Sequence, residues 1–218
     1  MSVKSARSRR VSSDIELAES LQKNWLLNFK IKRPFYFNPK HQEFYNCIIN
    51  PKTKMGFVDG PAGSMKTYIA VYAALQLIRE DQFQRLVYIR SVTESAERSL
   101  GSLPGEIDDK FSPYSIPLEE KVTEITDAGT YSMLKQRGVV EAIPVNFVRG
   151  LTFNKTLVIV DEAQNLSRKE LTTILTRFGR YSKYVVIGDC NQADVNKSGY
   201  KEIFNMFNSK QCKDNDIH

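Results

Sequence analysis

A loop with two glycines, placed between a short apolar run and a longer apolar helical stretch, constrains the fold more than any other feature of this chain. The loop reads Gly60-Pro61-Ala62-Gly63-Ser64-Met65-Lys66-Thr67 and lies between residues 55–58 and 68–78. Where a strand enters such a loop and a helix leaves it, backbone N–H groups point inward at an anion. The lysine ammonium then reaches the terminal phosphates, and the threonine hydroxyl holds Mg²⁺. The segment therefore predicts a binding site for a nucleoside triphosphate.

One residue departs from the usual pattern GxxxxGK[ST], because Met65 stands where the last glycine belongs. Glycine is needed where φ is positive or where a side chain would collide with the ligand. A methionine fits if the backbone is already near α-helical and the side chain turns away from the phosphates. We expect this conformation and a working loop, because the other motifs of the site are intact.

The composition is ordinary for one globular domain with extensions: 218 residues, 26% of them charged and 41% hydrophobic. The three cysteines, Cys47, Cys190 and Cys212, have no metal-ligand spacing and predict reduced thiols in a cytosol. No segment has the apolar length of a signal peptide or a bilayer span, so we expect a cytoplasmic protein without a membrane partner. The net charge of +6 suits a polyanionic partner but does not require one.

Shifts in composition divide the chain into four segments. Residues 1–13 hold basic side chains among serines and predict a disordered basic arm. Residues 14–53 open near a capping-box pattern and continue through aromatic residues, which predicts an N-terminal helix and a connector. Residues 54–208 form the predicted nucleotide-binding core, and residues 209–218 are expected to be a flexible tail.

Apolar strand patterns alternate with helical periodicity in and just before the core. Strands are predicted at residues 54–59, 86–90, 139–143, 156–160 and 184–187. Helices are predicted at residues 41–49, 67–79, 118–127, 131–136 and 169–178, with a polar, turn-rich stretch at 91–117. This alternation predicts a parallel sheet flanked by helices, with the ligand at the carboxyl ends of the strands.

The strand at residues 156–160 runs into two carboxylates, Asp161 and Glu162, which is the Walker B form. Asp161 is expected to help hold the Mg²⁺ set up by Thr67. Glu162 is expected to orient and deprotonate the attacking water. Two adjacent acids in a phosphate site need a metal to screen them. We therefore favour this interpretation over a buried strand that ends in solvated acids.

The strand at residues 184–187 leads into a polar loop and is expected to lie beside the Asp-Glu strand. In that loop, Gln192 is placed to hydrogen-bond the γ-phosphate or the water and so to report hydrolysis. A loop that caps the helix near Gly199 is the competing interpretation for Asn191 and Asp194. No Asn-Lys-x-Asp motif of guanine recognition is present, so ATP is favoured over GTP.

In the chain, the strand at residues 86–90 comes between the strand at 54–59, which leads into the phosphate loop (P-loop) at residues 60–67, and the strand at 156–160, which ends in Asp161 and Glu162. This arrangement resembles the catalytic-glutamate branch of P-loop ATPases, which includes RecA-like motors. We therefore predict an α/β fold, a RecA-like P-loop NTPase with a mostly parallel sheet flanked by helices and a single core domain.

Together, the motifs resemble those of the PhoH-like ATPases of bacteria and phages, a family that resembles superfamily-one helicase cores. The resemblance runs from residue 38 to residue 200. Besides the phosphate loop, it is carried by Leu103-Pro104-Gly105, Pro113-Tyr114, Arg149-Gly150, Asp161-Glu162-Ala163-Gln164-Asn165, Gly188-Asp189-x-x-Gln192-x-Asp194 and Ser198-Gly199. Ser91 stands where the family has proline, and the chain stops soon after Phe207, where family members usually continue.

The resemblance implies ATP hydrolysis that needs Mg²⁺, together with RNA binding or unwinding. It implies single-stranded RNA as a partner, with residues 93–110 in contact with it. It also implies that Gln42 reads the adenine amino edge. Phe35, Tyr36 and Phe37 in the connector are candidates to stack on the base, and at least one of them is expected to belong to the core instead. The corresponding location is a bacterial cytosol or that of a phage-infected host.

Helicases of this kind close two RecA-like domains on ATP, and this chain has room for one. We therefore expect a homo-oligomer, with a ring as one arrangement, in which a neighbouring subunit completes each site. Arg149, Arg177 and Arg180 are the candidates for a trans-acting arginine, one that acts on the site of a neighbouring subunit. The alternative for each is a surface or structural role.

Two hypotheses of function remain open. In the first, the chain is a Mg²⁺-dependent ATPase. Its site residues are Glu162, Lys66 and Gln192 for catalysis, residues 60–67 and Gln42 for nucleotide binding, and Thr67 and Asp161 for the metal. In the second, the chain is a nucleotide-gated RNA-binding or assembly module with little hydrolysis, which Met65 and the small size of the chain favour.

Overall fold

The structure, a computed structural model, describes residues 29–34, 37–91, 107–192 and 198–218, without the side chains of residues 107–111. The predicted basic arm and most of the N-terminal helix lie outside these residues. Phe35, Tyr36, Asp194 and residues 93–106 lie outside them as well.

In the described residues, five strands alternate with helices. The strands are β1 (Met55–Asp59), β2 (Arg85–Arg90), β3 (Val140–Pro144), β4 (Thr156–Asp161) and β5 (Lys183–Gly188). The helices are α1 (Pro39–Ile49), α2 (Lys66–Arg79), α3 (Ile107–Ile125), α4 (Thr130–Gln136), α5 (Arg168–Leu175), α6 (Tyr200–Phe207) and α7 (Lys210–Lys213). Among these helices, none has the length and apolar character that crossing a bilayer would require.

The described strands form one sheet in the order β1-β5-β4-β2-β3, and every neighbouring pair is parallel. Parallel pairing places all carboxyl ends at the same edge, where ligands bind in open α/β sheets. The predicted α/β fold of the RecA-like P-loop NTPase type is therefore confirmed. β5 is the neighbour of the Asp-Glu strand β4, as predicted, and β2 pairs with the other side of β4.

The core lies on both faces of the sheet, because β4 and β5 are buried along their whole length. Alternate residues of a strand point to opposite faces. Leu157 and Ile159 accordingly pack in the cluster that contains α2, whereas Val158 and Val160 pack with α5 and α6. The sheet is thus a rigid layer that holds its carboxyl ends in place.

Helix α3 begins well before the predicted start at Leu118, and it contains two prolines, Pro113 and Pro117. The prediction of a turn-rich stretch up to the second proline is wrong for this part of the chain. A proline inside a helix removes a hydrogen bond and costs about 3 kcal/mol. A buried stripe of Tyr114, Leu118 and Val122 offsets this cost, since each buried side chain gives about 1.5–3 kcal/mol.

Within the segment 209–218, expected to be a flexible tail, residues 210–213 form α7 and residues 216–218 are hydrogen-bonded to residues 54–57. The Lys54 N–H donates to the Asp216 carbonyl oxygen (2.8 Å), and the Phe57 N–H donates to that of His218 (2.7 Å). The His218 N–H donates to the Met55 carbonyl oxygen (2.9 Å). These bonds continue the sheet beyond β1.

We expect deletion of residues 214–218 to lower the free energy of unfolding by about 2 kcal/mol, because three main-chain hydrogen bonds of about 0.5–1.5 kcal/mol each are lost. Urea unfolding measures the change. Asp216→Ala is the control, since it removes only the exposed ion pair with Lys54 and should cost less than about 0.5 kcal/mol. An unchanged urea midpoint after the deletion would show that the tail does not stabilise β1.

Candidate functional site

In the loop between β1 and α2, the side chain of Lys66 folds back and donates hydrogen bonds to oxygen atoms of the loop. Gly63 has a positive φ of 75°, a conformation that glycine adopts without steric cost. The Lys66 ammonium donates to the carbonyl oxygens of Gly60 (2.6 Å) and Pro61 (2.7 Å) and to Ser64 Oγ (3.2 Å). The ammonium therefore lies within the loop, and an entering phosphate would replace these oxygens as its partner.

Met65, at the last glycine position, has φ 60° and ψ 14°, which is a left-handed conformation. The expectation of a near α-helical backbone is therefore wrong. The left-handed residue turns the chain from the loop into α2, and its carbonyl oxygen accepts the Ile69 N–H (2.9 Å). A side chain in this conformation costs about 1–2 kcal/mol. The methionine side chain is accommodated because it lies at the surface, 38% exposed.

Asp161 ends β4 as a buried carboxylate, 3% exposed, and three groups donate hydrogen bonds to it. Thr67 Oγ1 lies 3.1 Å from both carboxylate oxygens. The Tyr88 hydroxyl donates to Oδ2 (2.5 Å), and the Glu162 N–H donates to Oδ1 (3.1 Å). Burial and then the Asp161 charge raise the pKa of Tyr88, so its hydroxyl stays protonated as a donor. The two predicted metal ligands, Thr67 and Asp161, are in direct contact.

A hydroxyl and a carboxylate in contact fit Mg²⁺, which proteins bind through one or two carboxylates, substrate phosphates and water. Within the part of the chain that the structure describes, no group of three or more His, Cys, Asp or Glu side chains could hold a metal ion. A metal at Thr67 and Asp161 would therefore depend on a phosphate ligand and water for the rest of its coordination.

Glu162 has a left-handed backbone, φ 52°, which turns the chain out of β4 into a 3-10 turn. Its Oε2 accepts a hydrogen bond from Gln164 Nε2 (2.5 Å), and its Oε1 lies 3.8 Å from the Arg90 guanidinium. Gln164 is buried, and its Oε1 accepts the Asp189 N–H (3.1 Å) after β5. Both carboxylate oxygens of Glu162 are therefore engaged by neighbouring side chains.

One cavity of about 300 Å³ brings most of the predicted site residues together. The predicted residues that line it are Ala62, Gly63, Ser64, Met65, Lys66, Thr67, Asp161, Glu162 and Gln192. Gly60 and Pro61 belong to the same loop but are not part of the lining, and α3 contributes Lys121 and Glu124. The three predicted catalytic side chains thus face a common volume, and their roles stay predictions.

The structure does not bring Gln42 to this cavity. Gln42 is exposed on α1, and its side-chain amide donates to Asn46 Oδ1 (2.9 Å). Phe37 packs against Tyr45 and Tyr72, with ring centroids 5.9 Å apart in each pair. Phe37 is therefore part of an aromatic cluster, and the adenine contact of Gln42 stays a prediction.

The three candidate trans-acting arginines do not line the cavity either. Arg149 and Arg180 are exposed. Arg177 is partly buried, and its Nε atom has no hydrogen-bond partner among the described residues. Their action on a neighbouring subunit stays a prediction.

Cys190 lies between two residues that line the cavity, Asp189 and Gln192. Burial, followed by the hydrogen bond to Asp59, raises the pKa of the Cys190 thiol to about 11. The thiol is therefore protonated at neutral pH, which suits a small packing residue and not a nucleophile.

Tyr88 and Arg90 contact the two acids, although sequence reasoning did not single them out. They lie two residues apart on β2, so their side chains point to the same face of the sheet. Tyr88 contacts Asp161, and Arg90 contacts Glu162. The sequence signal is a hydroxyl and a guanidinium at alternate positions near the carboxyl end of an apolar strand.

Comparison with known proteins places these motifs in one family. Residues 37–217 match the family model described as PhoH-like protein, and this range contains the phosphate loop and both acids. The chain belongs to the PhoH-like family.

Three relatives show the extent of the similarity. The PhoH-like protein of Mycobacterium tuberculosis (strain ATCC 25618 / H37Rv) is 38% identical over 166 residues, which are 76% of this chain and 46% of that protein. The PhoH-like protein of Bacillus subtilis (strain 168) is 37% identical over 138 residues, which are 63% of this chain and 43% of that protein. Protein PhoH of Escherichia coli (strain K12) is 33% identical over 156 residues, which are 69% of this chain and 44% of that protein. This PhoH-like chain thus matches less than half the length of these relatives.

We expect Met65→Gly to raise the free energy of unfolding by about 0.5–1 kcal/mol. Glycine relieves the left-handed strain, and the greater freedom of the unfolded chain cancels part of the gain. Met65→Ala is the control, because alanine keeps the strain while it shortens the side chain. Urea unfolding of both variants measures the difference. Equal stability of Met65→Gly and wild type would contradict a strained backbone at this residue.

Proposed function

We propose that this PhoH-like chain binds ATP with Mg²⁺ and hydrolyses it. One observation carries the proposal: Lys66, Thr67, Asp161, Glu162 and Gln192 line one cavity at the carboxyl edge of the sheet. A cation, a metal-binding pair, a carboxylate base and an amide are the groups that phosphoryl transfer to water uses. ATP is favoured over GTP because the sequence lacks the Asn-Lys-x-Asp motif.

Phosphate binding depends first on Lys66. Its ammonium leaves the carbonyl oxygens of Gly60 and Pro61 and turns to the terminal phosphates, while N–H groups of the loop hold the anion. Thr67 and Asp161 would hold Mg²⁺, which neutralises phosphate charge when bound.

Water activation depends on Glu162, whose carboxylate takes a proton from the attacking water. Oε2 accepts one hydrogen bond from Gln164 and Oε1 lies 3.8 Å from the Arg90 guanidinium, so the carboxylate keeps free lone pairs for the water. The amide of Gln192 then hydrogen-bonds the γ-phosphate.

A second candidate is a nucleotide-gated module for RNA binding or assembly with little hydrolysis. Met65 favours it, because a side chain with a left-handed backbone stands at the last glycine position of the phosphate loop. Single-stranded RNA and a homo-oligomer are the proposed partners in both cases, and they rest on what the family resemblance implies.

We expect Glu162→Gln to keep ATP binding and to lower the rate of phosphate release at least about 100-fold, because the general base is lost. Phosphate release under saturating Mg-ATP measures the rate, and calorimetry measures binding. Glu120→Gln, an exposed change on α3, is the charge-matched control. Unchanged turnover in Glu162→Gln would remove the base role from this residue.

We expect phosphate release per chain to rise with protein concentration and with added single-stranded RNA. A trans-acting arginine contributes about 10³–10⁵ in rate, so a dilute, isolated chain should be nearly inactive. The rate is measured over a range of chain concentrations, with and without RNA. ATP binding with no turnover under any of these conditions would favour the nucleotide-gated module.

A further inference from the structure

We infer that Tyr88 is a positioning residue whose hydroxyl orients the Asp161 carboxylate for Mg²⁺, and this inference rests on the proposed function. Tyr88 lies on β2, outside the phosphate loop and outside the Asp-Glu motif, and is fully buried. Its side chain is not part of the cavity lining. Any effect of Tyr88 on a metal must therefore pass through Asp161.

The hydrogen bonds around Asp161 show what the tyrosine contributes. The Thr67 hydroxyl is 3.1 Å from both carboxylate oxygens, so it lies between them and does not select one. The Glu162 N–H binds Oδ1 (3.1 Å), and the Tyr88 hydroxyl binds Oδ2 (2.5 Å). Each oxygen thus has one donor of its own, and the pair of donors fixes the rotation of the carboxylate plane.

Strand register places the hydroxyl at this oxygen. Tyr88 pairs with Ile159, and Arg90 pairs with Asp161. The tyrosine side chain therefore has to reach along the sheet by two residues, about 6.6 Å at a rise of about 3.3 Å per residue. Phenylalanine would fill the same space without a donor at its end.

A purely structural role is the alternative, because a buried tyrosine hydroxyl needs a partner in any case. That role predicts a change in stability and none in metal binding. A positioning role also predicts a loss of metal affinity, since removal of a hydrogen-bond partner of a metal ligand typically lowers metal affinity by about 10- to 100-fold. The Mg²⁺ dependence of ATP binding therefore separates the two.

The experiment titrates Mg²⁺ into the full chain at fixed ATP and follows ATP binding by calorimetry. Tyr88→Phe removes only the hydroxyl, and Tyr88→Leu is a second variant that also lacks it. Tyr184→Phe is the matched control. Tyr184 is likewise fully buried, on the strand next to β4, and its hydroxyl has no hydrogen-bond partner in the described part of the chain. Thermal unfolding without nucleotide checks that each variant is folded.

We expect both Tyr88 variants to need about 10- to 100-fold more Mg²⁺ for half-maximal ATP binding, with metal-free ATP binding unchanged. Tyr184→Phe should have the wild-type midpoint. A wild-type Mg²⁺ midpoint in Tyr88→Phe would overturn the positioning role and leave the proposed function intact. A wild-type chain whose ATP binding ignores Mg²⁺ would instead overturn the proposed metal site, and the inference with it.

Discussion

The hydrogen bonds from Thr67 to both oxygens of Asp161 join the first turn of α2 to the end of β4, and the rest of the site is arranged around them. A buried carboxylate is costly unless it is surrounded by donors. Here the donors come from α2, from β2 and from the backbone of the next residue. These elements are therefore held relative to one another. The sheet order allows this contact, because only β5 separates β4 from β1, the strand that leads into α2.

Two non-glycine residues with left-handed backbones, Met65 and Glu162, line the cavity. Such conformations cost about 1–3 kcal/mol each and persist where the surrounding structure determines them. Each stands where the chain turns sharply into helical structure, one before α2 and the other after β4. The fully buried strands β4 and β5 supply the rigidity that holds these turns.

The sheet and the phosphate loop could be predicted from the sequence because their signals are local. Apolar β-branched runs such as residues 156–160 are typical of strands buried on both faces. The start of α3 could not be predicted, since Pro113 and Pro117 indicate a loop and the burial that overrides them depends on packing against distant strands. The left-handed conformation of Met65 could not be predicted either, because it is set by the way the chain turns from the loop into α2. The contact of Tyr88 with Asp161 depends on the register between β2 and β4.

β1 lies at one end of the sheet, but it is not an open edge strand. It has main-chain hydrogen-bond partners on both sides, β5 on one and residues 216–218 on the other. An edge strand is a template on which another chain can add a strand, whereas a covered strand is not. In the described part of the chain, β3 lies at the opposite end of the sheet and pairs only with β2. Another strand therefore cannot add directly along residues 54–57 of the strand that leads into the phosphate loop, because residues 216–218 already occupy that side.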